Sequence, residues 1–390
     1  MMHSTGRIIE FVAILGCLSS SVYYLLCLWS ALSFLRGRKA EWNARPTQPL
    51  LPVSILKPFK GADPGMYASL RSHCLQDYAE YEIIFGVSDP ADPSVAVVKQ
   101  LQGEFPDQAI RLVVSPEQLG ANLKVSNLEQ MLPSARYAHL LVNDSDIRVE
   151  RDYLRRVMAP LTDERVGMVT CLYRGVASPT LGSRLESLGI STDFSAGVLA
   201  ARQLEGGLHF ALGSTLAFRR ADLEKIGGFK AIVDFLADDY ELGQRISGLG
   251  LQVHLSDVVV ETHLPAYGLR AFLDHQLRWA RGVRDARAGG YVGLISTFGL
   301  MWGLLALLFA HAAPWPRAAF GAVVVLRLAV ALAVGKVVLQ DEGVLNYLWL
   351  LPLRDLVAVA IWVASFAGHT VVWRGDRFVL KAGRLVRIFP

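Results

Sequence analysis

Two aspartates flank a serine in the stretch LLVNDSDIRV, at the point where a short apolar run ends. Residues 140–142 have the composition of a buried strand, and Asn143 ends it. Asp144 and Asp146 are therefore predicted to lie on a loop at the carboxyl end of a strand. Asp and Ser are common in solvated turns, which is one interpretation. The other is that the two carboxylates hold a hard divalent cation against a phosphate.

Further acidic residues come at the ends of other predicted elements. Asp89 and Asp92 follow the apolar run YEIIFGV, and LADDYELG places Asp238, Asp239 and Glu241 at the start of a predicted helix. Acidic residues in the first turn stabilise a helix, so the second group has a structural interpretation as well. A positioned carboxylate can instead take the proton of an attacking hydroxyl.

Basic residues recur on a predicted amphipathic helix, LRAFLDHQLRWARGVR. Its apolar positions are Leu269, Phe272, Leu273, Leu277 and Ala280. Arg278, Arg281 and Arg284 follow one another at intervals of three residues, and Trp279 lies among them. A helix of this kind is typical of the membrane interface, where arginines face lipid phosphates and a tryptophan serves as an anchor.

Short apolar strands alternate with helices in the part of the chain that must position these residues. Strands are predicted at VSILKP, YEIIFGVSD, IRLVVS and HLLVN, with helices over residues 64–76 and 94–104 and at NLKVSNLEQML. This alternation predicts an α/β fold with a parallel sheet covered on both faces. Ligands bind outside the carboxyl ends of such strands, so the acidic residues after YEIIFGV and HLLVN are expected to converge on one crevice. No glycine-rich phosphate loop or GxGxxG follows the first strand, which argues against P-loop and dinucleotide-binding folds.

The composition indicates a membrane protein. The 390-residue chain is 52% hydrophobic, and its mean hydropathy of +0.34 is high for a soluble protein of this length. Four apolar segments are predicted to span the membrane, at residues 8–35, 293–313, 318–339 and 345–373. The first is longer than the core of a signal peptide and lacks a cleavage pattern, so we interpret it as an uncleaved anchor.

Charged residues interrupt the last two of these segments. Arg327 lies inside the third, and Pro352, Arg354 and Asp355 lie in the first half of the fourth. Adjacent Arg354 and Asp355 are expected to offset each other's cost in lipid, or else this half lies in the interface. Four complete spans put the basic tail, residues 374–390, on the side opposite to the soluble domain, against the distribution of basic loops. Either the last segment does not cross fully or the tail is an exception.

Between the first two spans lie roughly 250 residues of mixed polarity, enough for one soluble domain. Basic residues flank this domain on both sides, which places it in the cytosol by the positive-inside rule. The predicted parts are an N-terminal anchor (1–40), a cytosolic domain (51–263), an interfacial helix (264–290), C-terminal spans (293–373) and the basic tail (374–390).

Cysteine and charge patterns exclude several classes of site. Two of the four cysteines lie in the first span, the other two are isolated, and there is no CxxC, so zinc and structural disulfides are not expected. Basic residues cluster next to the spans and are not interleaved with aromatics in a nucleic-acid pattern, which favours contact with the membrane over nucleic-acid binding.

Taken in order, these motifs resemble the membrane-bound, family 2-like glycosyltransferases, which carry D, DxD, D and (Q/R)xxRW. The stretches VSDPADP, GANLKVSNL, NDSDIRV, LADDYELG and RWARG resemble more closely the ceramide glucosyltransferase family, family 21, with its bacterial hopanoid-associated relatives. The resemblance covers essentially the whole chain. One position departs from the pattern, because the first residue of (Q/R)xxRW is His275 here.

The resemblance implies a GT-A-type, Rossmann-like domain that binds a nucleotide sugar, with one N-terminal and about three C-terminal transmembrane helices. It implies donor contacts from Asp89, Asp92, Lys124, Asn127 and Asp144. It implies Mg²⁺ or Mn²⁺ on Asp144 and Asp146. It implies that Asp239 is the base and that Arg278 and Trp279 close over the diphosphate and acceptor, with Asp238, His275 and Gln276 as neighbouring motif residues.

The function implied by the resemblance is transfer of a hexose, glucose or N-acetylglucosamine, from a UDP-sugar to a lipid hydroxyl such as that of ceramide or a hopanoid. One base without an evident second nucleophile favours direct displacement with inversion. The implied location is the bacterial inner membrane, as a multi-pass protein.

Two other classes of function share some of these features. A processive polysaccharide synthase shares these motifs but needs a polymer channel, for which a few C-terminal spans are a poor fit. A transporter is expected to have more spans and an internal repeat, and a non-catalytic binding protein to lack part of the acidic set.

Overall fold

The protein is described here from a computed structural model that covers residues 2–43, 51–61, 65–309, 314–373 and 376–388. The predicted helix start at Pro64, the end of the second predicted span at Ala313 and parts of the tail lie outside the described residues. The chain forms two compact units. The sheet unit consists of Glu41–Val176, Leu204–Pro265 and Arg374–Pro390, and the helical unit of Met1–Ala40, Ala177–Gln203 and Ala266–Trp373.

The strands are β1 Val53–Pro58, β2 Tyr81–Val87, β3 Ile110–Val114, β4 His139–Val142, β5 Ile147–Arg148, β6 Val166–Val176, β7 Leu216–Arg219, β8 Gln252–His263, β9 Thr370–Trp373, β10 Asp376–Lys381 and β11 Arg384–Arg387. The α-helices are α1 Met2–Asn43, α2 Met66–Cys74, α3 Ser94–Glu104, α4 Leu123–Met131, α5 Tyr153–Met158, α6 Leu181–Gly189, α7 Ser195–Leu204, α8 Arg220–Lys225, α9 Asp238–Gly248, α10 Leu269–Ala286, α11 Ala288–Gly293, α12 Gly299–Phe309, α13 Trp315–Val330, α14 Gly343–Tyr347 and α15 Leu351–Ser365. The strands and helices predicted between residues 53 and 143 are confirmed, with ends that differ by at most two residues.

An eight-stranded sheet with the order β3-β2-β1-β4-β7-β6-β8-β5 forms the centre of the sheet unit. The first four strands are parallel, as predicted, and β1 and β2 are buried along their whole length because helices cover both faces. β7 and β5 run antiparallel to their neighbours, which makes the sheet mixed. The chain builds β2 and β3 on one side of β1 and then returns to place β4 on the other side. The carboxyl ends of β1 and β4 therefore border the crevice of a topological switch point.

The main core of the sheet unit lies on one face of this sheet. Ile55, Ile83, Phe85 and Leu141 project from the central strands and pack with side chains of the covering helices, including Tyr153. These residues have no measurable exposure. A close-packed core of this kind gives the strand ends, and the loops that leave them, fixed positions.

Three helical stretches of the helical unit are long and apolar enough to cross a membrane: Gly6–Lys39, Trp315–Val338 and Gly343–Ser365. They correspond to the first, third and fourth predicted spans. The second predicted span is a pair of helices, Ala288–Thr297 and Gly299–Phe309, bent by 48°. By length and composition, the described residues thus provide three complete spans and one bent pair.

The charged residues of the predicted third and fourth spans pair in a way that the sequence did not indicate. Arg327 binds Asp355 with Nη2–Oδ1 at 2.7 Å, and it donates to the carbonyl oxygen of Thr192 at 2.9 Å. Arg354 instead approaches Asp193 at 3.7 Å. The expected offset between adjacent Arg354 and Asp355 is therefore wrong. Consecutive residues on a helix project about 100° apart, so they do not face each other.

The amphipathic helix α10 also makes contacts other than those predicted. Phe272 is fully buried in a small apolar cluster with residues of α6 and the last spans, whereas Leu269 and Leu273 are 53% and 42% exposed. Arg281 and Arg284 donate to carbonyl oxygens within residues 365–370, at and just after the end of α15. The last carbonyls of a helix attract cations, so these arginines have protein partners where lipid phosphates were expected.

The end of the chain is folded where the sequence indicated only a basic tail. Strands β10 and β11 form an antiparallel hairpin, with Leu380 opposite Leu385. Phe378, Leu380 and Leu385 are each less than 5% exposed. Buried and exposed positions alternate along these strands, which is typical of a half-buried hairpin. The many basic residues of this stretch made the alternation hard to detect in the sequence.

Candidate active site

Lys124 joins two acidic residues from separate parts of the sheet unit. Its Nζ lies 2.8 Å from Asp144 Oδ1 and 3.0 Å from Asp238 Oδ2. Burial alone would lower the pKa of this ammonium, but Asp144 and Asp238 outweigh it and hold the pKa well above its usual range. Lys124 therefore stays charged and fixes the loop after β4 against the start of α9.

Asp239 is the next residue of α9 and lies beside this ion pair. Its Oδ2 accepts a hydrogen bond from Gly213 N at 2.8 Å, and its Oδ1 accepts one from Tyr240 N at 2.8 Å. Burial, and next the Asp238 carboxylate, raise the pKa of Asp239 to about 6 against the opposing effect of Lys124. A carboxylate with this pKa is largely ionised at neutral pH and accepts a proton more readily than an ordinary aspartate.

Gly213 lies against two of these carboxylates. A Cβ atom at this position would lie 3.3 Å from both Asp144 Oδ2 and Asp239 Oδ2. Such a contact is tighter than ordinary van der Waals packing, so a side chain at this position would displace the carboxylates. The absence of a side chain at Gly213 therefore allows the two carboxylates to lie close to the same backbone position.

Two connected loops lead into the helices that carry Lys124 and Asp239. Asn122 is the N-cap of α4, where its Oδ1 accepts from Val125 N at 3.2 Å. Its Nδ2 donates to the carbonyl oxygen of Phe235 at 2.7 Å, three residues before α9 begins. One buried asparagine thus both begins a helix and ties the loop before α4 to the loop before α9.

A buried polar network supports Asp144 from behind. Lys57 Nζ, at the end of β1, donates to Asn143 Oδ1 at 2.6 Å and to the carbonyl oxygen of Asp144 at 3.0 Å. Asn143 Nδ2 lies 3.0 Å from His73 Nε2. Burial, and next the Lys57 charge, hold the pKa of His73 well below its usual value, so its neutral ring accepts at Nε2 while Nδ1 donates to Ser69 O. The network fixes the backbone beneath the Asp144 carboxylate.

Asp144 and Asp146 differ in how well they suit a divalent cation. Asp144 is 43% exposed in its side chain, with Oδ1 on Lys124 and Oδ2 toward the space beside Gly213. Asp146 Oδ2 accepts from Thr262 Oγ1 at 2.6 Å, which ties the loop to β8. Within the described ranges, no group of three His, Cys, Asp or Glu side chains is arranged to hold a metal. Mg²⁺ at a diphosphate often takes one or two carboxylates and completes its shell with phosphate and water, which Asp144 fits.

The other predicted donor residues lie at the end of β2 and inside α4. Asp89 is exposed and forms a hydrogen bond within its own turn. Asp92 accepts from Gly61 N and Ser94 N, so it joins the loop after β1 to the start of α3. Asn127 is 3% exposed and packs close to Gly86 of β2. Asp89 and Asp92 thus lie at the carboxyl edge of the sheet, whereas Asn127 belongs to the interior.

The HQLRW motif lies on α10 of the helical unit. His275 Nδ1 is 3.0 Å from Oε1 of Glu186, a carboxylate that is 2% exposed. Gln276 Oε1 accepts from Arg354 at 3.3 Å, and the Trp279 ring lies 5.1 Å from the His275 ring. Arg278 is half-buried on the same helix. His275 therefore lies against a buried carboxylate at the position where the motif has Gln or Arg.

Sequence reasoning missed Gly213, Lys57 and Glu186. Gly213 is one of 34 glycines, and Lys57 is one lysine at the end of an apolar strand. Only the strand order brings Lys57 under the residues after β4, and only the folded helical unit brings Glu186 to His275. A lysine inside an apolar run was the one available signal, since lysine is almost never fully buried without a partner.

Comparison with known proteins agrees with this geometry. The sequence model of glycosyl transferase family 21 matches residues 12–386. Ceramide glucosyltransferase 3 of Caenorhabditis elegans is 24% identical over 388 residues, which cover 95% of this chain and 82% of that protein. Ceramide glucosyltransferase 1 of the same organism is 23% identical, with 97% and 82% covered.

Among solved structures, a mannosyltransferase from Pyrobaculum calidifontis in complex with GDP-Man and Mn²⁺ is similar to this chain. The TM-score is 0.54 at 22% identity, and the match covers 92% of this chain and 98% of that one. At this identity the likeness concerns the fold. It confirms the predicted α/β fold of GT-A type with additional helices.

Proposed function

Because the chain belongs to glycosyl transferase family 21, we propose that it transfers a hexose from a UDP-sugar to the hydroxyl of a membrane lipid, with inversion at the anomeric carbon. That it is a glycosyltransferase follows from the family. The donor, the acceptor and the stereochemistry are the proposal. Ceramide and hopanoid-type polyols are the acceptor classes we favour, in line with the named relatives and with the motifs.

One observation supports the proposal most strongly: Oδ2 of Asp144 and Oδ2 of Asp239 both approach Gly213, close to the switch point of the sheet. A nucleotide diphosphate needs cations near its phosphates, and an attacking hydroxyl needs a proton acceptor nearby. Lys124 supplies a fixed cation next to Asp144. The cluster thus combines groups for the leaving diphosphate with a group for the acceptor.

In the proposed reaction, the acceptor oxygen forms a bond to the anomeric carbon while the bond from that carbon to the diphosphate oxygen breaks. The bonding electron pair leaves with UDP. Asp239 takes the proton of the acceptor hydroxyl, for which its raised pKa suits it. Gly213 N holds Oδ2 of Asp239 in place, so the carboxylate needs little reorganisation during the step.

A divalent cation fits this site through Asp144. We propose that Asp144 is the protein ligand of Mg²⁺ or Mn²⁺, which neutralises charge on the diphosphate when it is bound. Asp146 is the weaker candidate, because one of its carboxylate oxygens already binds Thr262. We propose that Asp146 holds the loop after β4 in place through its hydrogen bond with Thr262. Lys57 holds the same loop through the carbonyl oxygen of Asp144.

The motif residues of α10 keep the roles that the family pattern implies. We propose that Arg278 neutralises the leaving diphosphate and that Trp279 contacts the acceptor, an assignment that depends on the RW motif alone. Asp89 and Asp92 are proposed to lie near the nucleoside. We propose that the sheet unit faces the cytosol, since basic residues flank it on both sides, and that the membrane is the bacterial inner membrane.

The test is lipid glycosylation by the full-length protein in nanodiscs. UDP-glucose and UDP-N-acetylglucosamine are each offered with ceramide, a hopanoid polyol, a sterol or diacylglycerol, and products are identified by mass spectrometry. We expect one donor and one acceptor class to give a monoglycosylated lipid, with β configuration by NMR. A polymeric product favours the polysaccharide synthase, and the absence of any product with every pair overturns the proposal.

A further inference from the structure

The C-terminal hairpin β10–β11 contacts the segment that leads into the proposed base. Leu236 N donates to the carbonyl oxygen of Gly383 at 3.0 Å, and Leu385 N donates to that of Asp234 at 2.7 Å. Phe235 lies between them and pairs with Arg384 as an antiparallel bridge. Residues 234–236 thus pair with the hairpin in the way that an additional short strand would. Asp238 and Asp239 follow this segment by two and three residues.

Side chains strengthen the same contact. The Arg384 guanidinium carbon lies 5.0 Å from the centre of the Phe235 ring, and Phe235 is only 8% exposed. Gly383 has a φ of +78°, and a Cβ there would lie 3.2 Å from Phe235 Cδ1. Two independent constraints therefore require glycine at this turn: the left-handed backbone and the close approach to the ring.

The opposite side of residues 234–236 is bound by the loop before α4. Ala121 N donates to Asp234 Oδ1 at 2.9 Å, Asn122 N to Val233 O at 2.8 Å, and Asn122 Nδ2 to Phe235 O at 2.7 Å. The segment is thus held between the hairpin on one side and the cap of α4 on the other. Lys124 and Asp239 each lie within three residues of this layer.

We propose that the C-terminal hairpin is a positioning element for catalysis, which holds residues 234–236 and through them sets Asp239 against Lys124 and Asp144. The proposal rests on the proposed function, in which Asp239 is the base. The hairpin touches none of the reacting groups itself. It acts through backbone hydrogen bonds, so its loss displaces the carboxylate while the remaining sheet stays intact. A displacement of about 1 Å is enough to cost up to about 10²-fold in rate.

The test compares Gly383→Val with Gly206→Val in the full-length protein. Gly206 has the same kind of left-handed backbone, with φ +69°, but no atom lies within 4 Å of the position of a Cβ. Both variants carry the strain of a β-branched residue at positive φ, and only Gly383→Val disturbs Phe235. We expect kcat to fall about tenfold in Gly383→Val alone, with the KM for UDP-hexose changed less than about twofold.

A second pair of substitutions covers the case in which Gly383→Val fails to fold. Phe235 and Arg384 face each other without direct backbone hydrogen bonds between them, a geometry in which Cα atoms are about 4.5 Å apart and a disulfide can form. In Phe235→Cys/Arg384→Cys we expect oxidation to raise kcat several-fold over the reduced form of the same protein. The four native cysteines are buried and do not compete.

Each outcome has one meaning for the hairpin. Equal kcat values in Gly383→Val and Gly206→Val, or in the oxidised and reduced double-cysteine protein, overturn the positioning role. A rise of the donor KM with unchanged kcat also overturns it, because it assigns the hairpin to nucleotide binding. If the unsubstituted protein itself transfers no sugar to lipid, the proposed function fails instead, and the two failures are thereby distinguished.

Discussion

The two units use the same ionisable residue types in opposite ways. In the sheet unit, one cation, Lys124, faces three carboxylates, Asp144, Asp238 and Asp239, so negative charge is left over beside Gly213. In the helical unit, Arg327 is matched by Asp355, and other arginines bind carbonyl oxygens.

This difference distinguishes residues that take part in the proposed reaction from residues that hold the helices together. Charges among apolar helices are costly unless they are paired, so balanced pairs indicate groups that hold the helices together. An unbalanced cluster of carboxylates costs stability and persists where a ligand or a reaction supplies the missing positive charge. Counting charges within each cluster thus assigns roles that the residue types alone do not.

The largest effect is expected from metal removal, which tests the unbalanced cluster directly. In EDTA the lipid glycosylation should disappear, and Mg²⁺ or Mn²⁺ should restore it, because a bound cation contributes several kcal/mol to neutralising the leaving diphosphate. Asp144→Ala should weaken UDP binding by calorimetry in the presence of metal. Full activity in chelator would show that Lys124 and arginines alone neutralise the diphosphate.

Asp239→Asn is expected to lower kcat by about 10²–10⁴-fold, because the amide preserves the shape of the side chain but cannot accept the proton. UDP affinity should stay within a few-fold of the unsubstituted protein. The control is Asp238→Asn, in which Asp239 keeps its carboxylate. If Asp239→Asn keeps more than a tenth of the turnover of the unsubstituted protein, Asp239 is not the base. If Asp238→Asn loses more turnover than Asp239→Asn, Asp238 is the base instead.

Arg327→Met tests the balanced region. Removal of one partner leaves Asp355 half-buried and without Arg327, for which we expect a cost of up to about 3–5 kcal/mol in the free energy of unfolding. The double variant Arg327→Met/Asp355→Leu should recover most of this loss, measured by thermal unfolding in detergent. If Arg327→Met stays fully folded but inactive, the pair belongs to the chemistry and the distinction between the units fails.

The smallest expected effect is a shift of the pH profile. Asp239 must be ionised to act as a base, so kcat/KM should be level above its pKa of about 6 and fall as the pH drops below it. The Asp238 carboxylate helps to raise this pKa, so Asp238→Asn should move the acidic limb to lower pH while burial keeps part of the shift. A limb that stays in place, or moves upward, contradicts the proposed coupling.

Local periodicity predicted the first part of the fold well. The strands and helices from Val53 to Val142 follow from short apolar runs and their spacing, and they fix where Asp144 lies. The later strands β6, β7 and β8 were not predicted, since their pairing depends on distant residues that local patterns do not encode.

The candidate site was predictable only in its acidic members. Strand ends and helix starts drew attention to Asp144, Asp238 and Asp239, which the fold brings together around Lys124. The glycine between the carboxylates and the buried Lys57 have no local signature, because each matters through contacts with residues that are distant in the sequence. For the same reason, the wrong pairing of Arg354 with Asp355 came from reading neighbours in sequence as neighbours in space.

The hairpin at the end of the chain also limits how the chain can thread a bilayer. Because β10 and β11 are part of the sheet unit and bind residues 234–236, the polypeptide that leaves this unit at Pro265 must return to the same side by Asp376. An even number of crossings is therefore required between these two points. If Trp315–Val338 and Gly343–Ser365 supply two crossings, the bent pair Ala288–Thr297 and Gly299–Phe309 enters and leaves by one face. With the cytosolic placement of the sheet unit proposed above, the hairpin then obeys the positive-inside rule, and three crossings in all are expected.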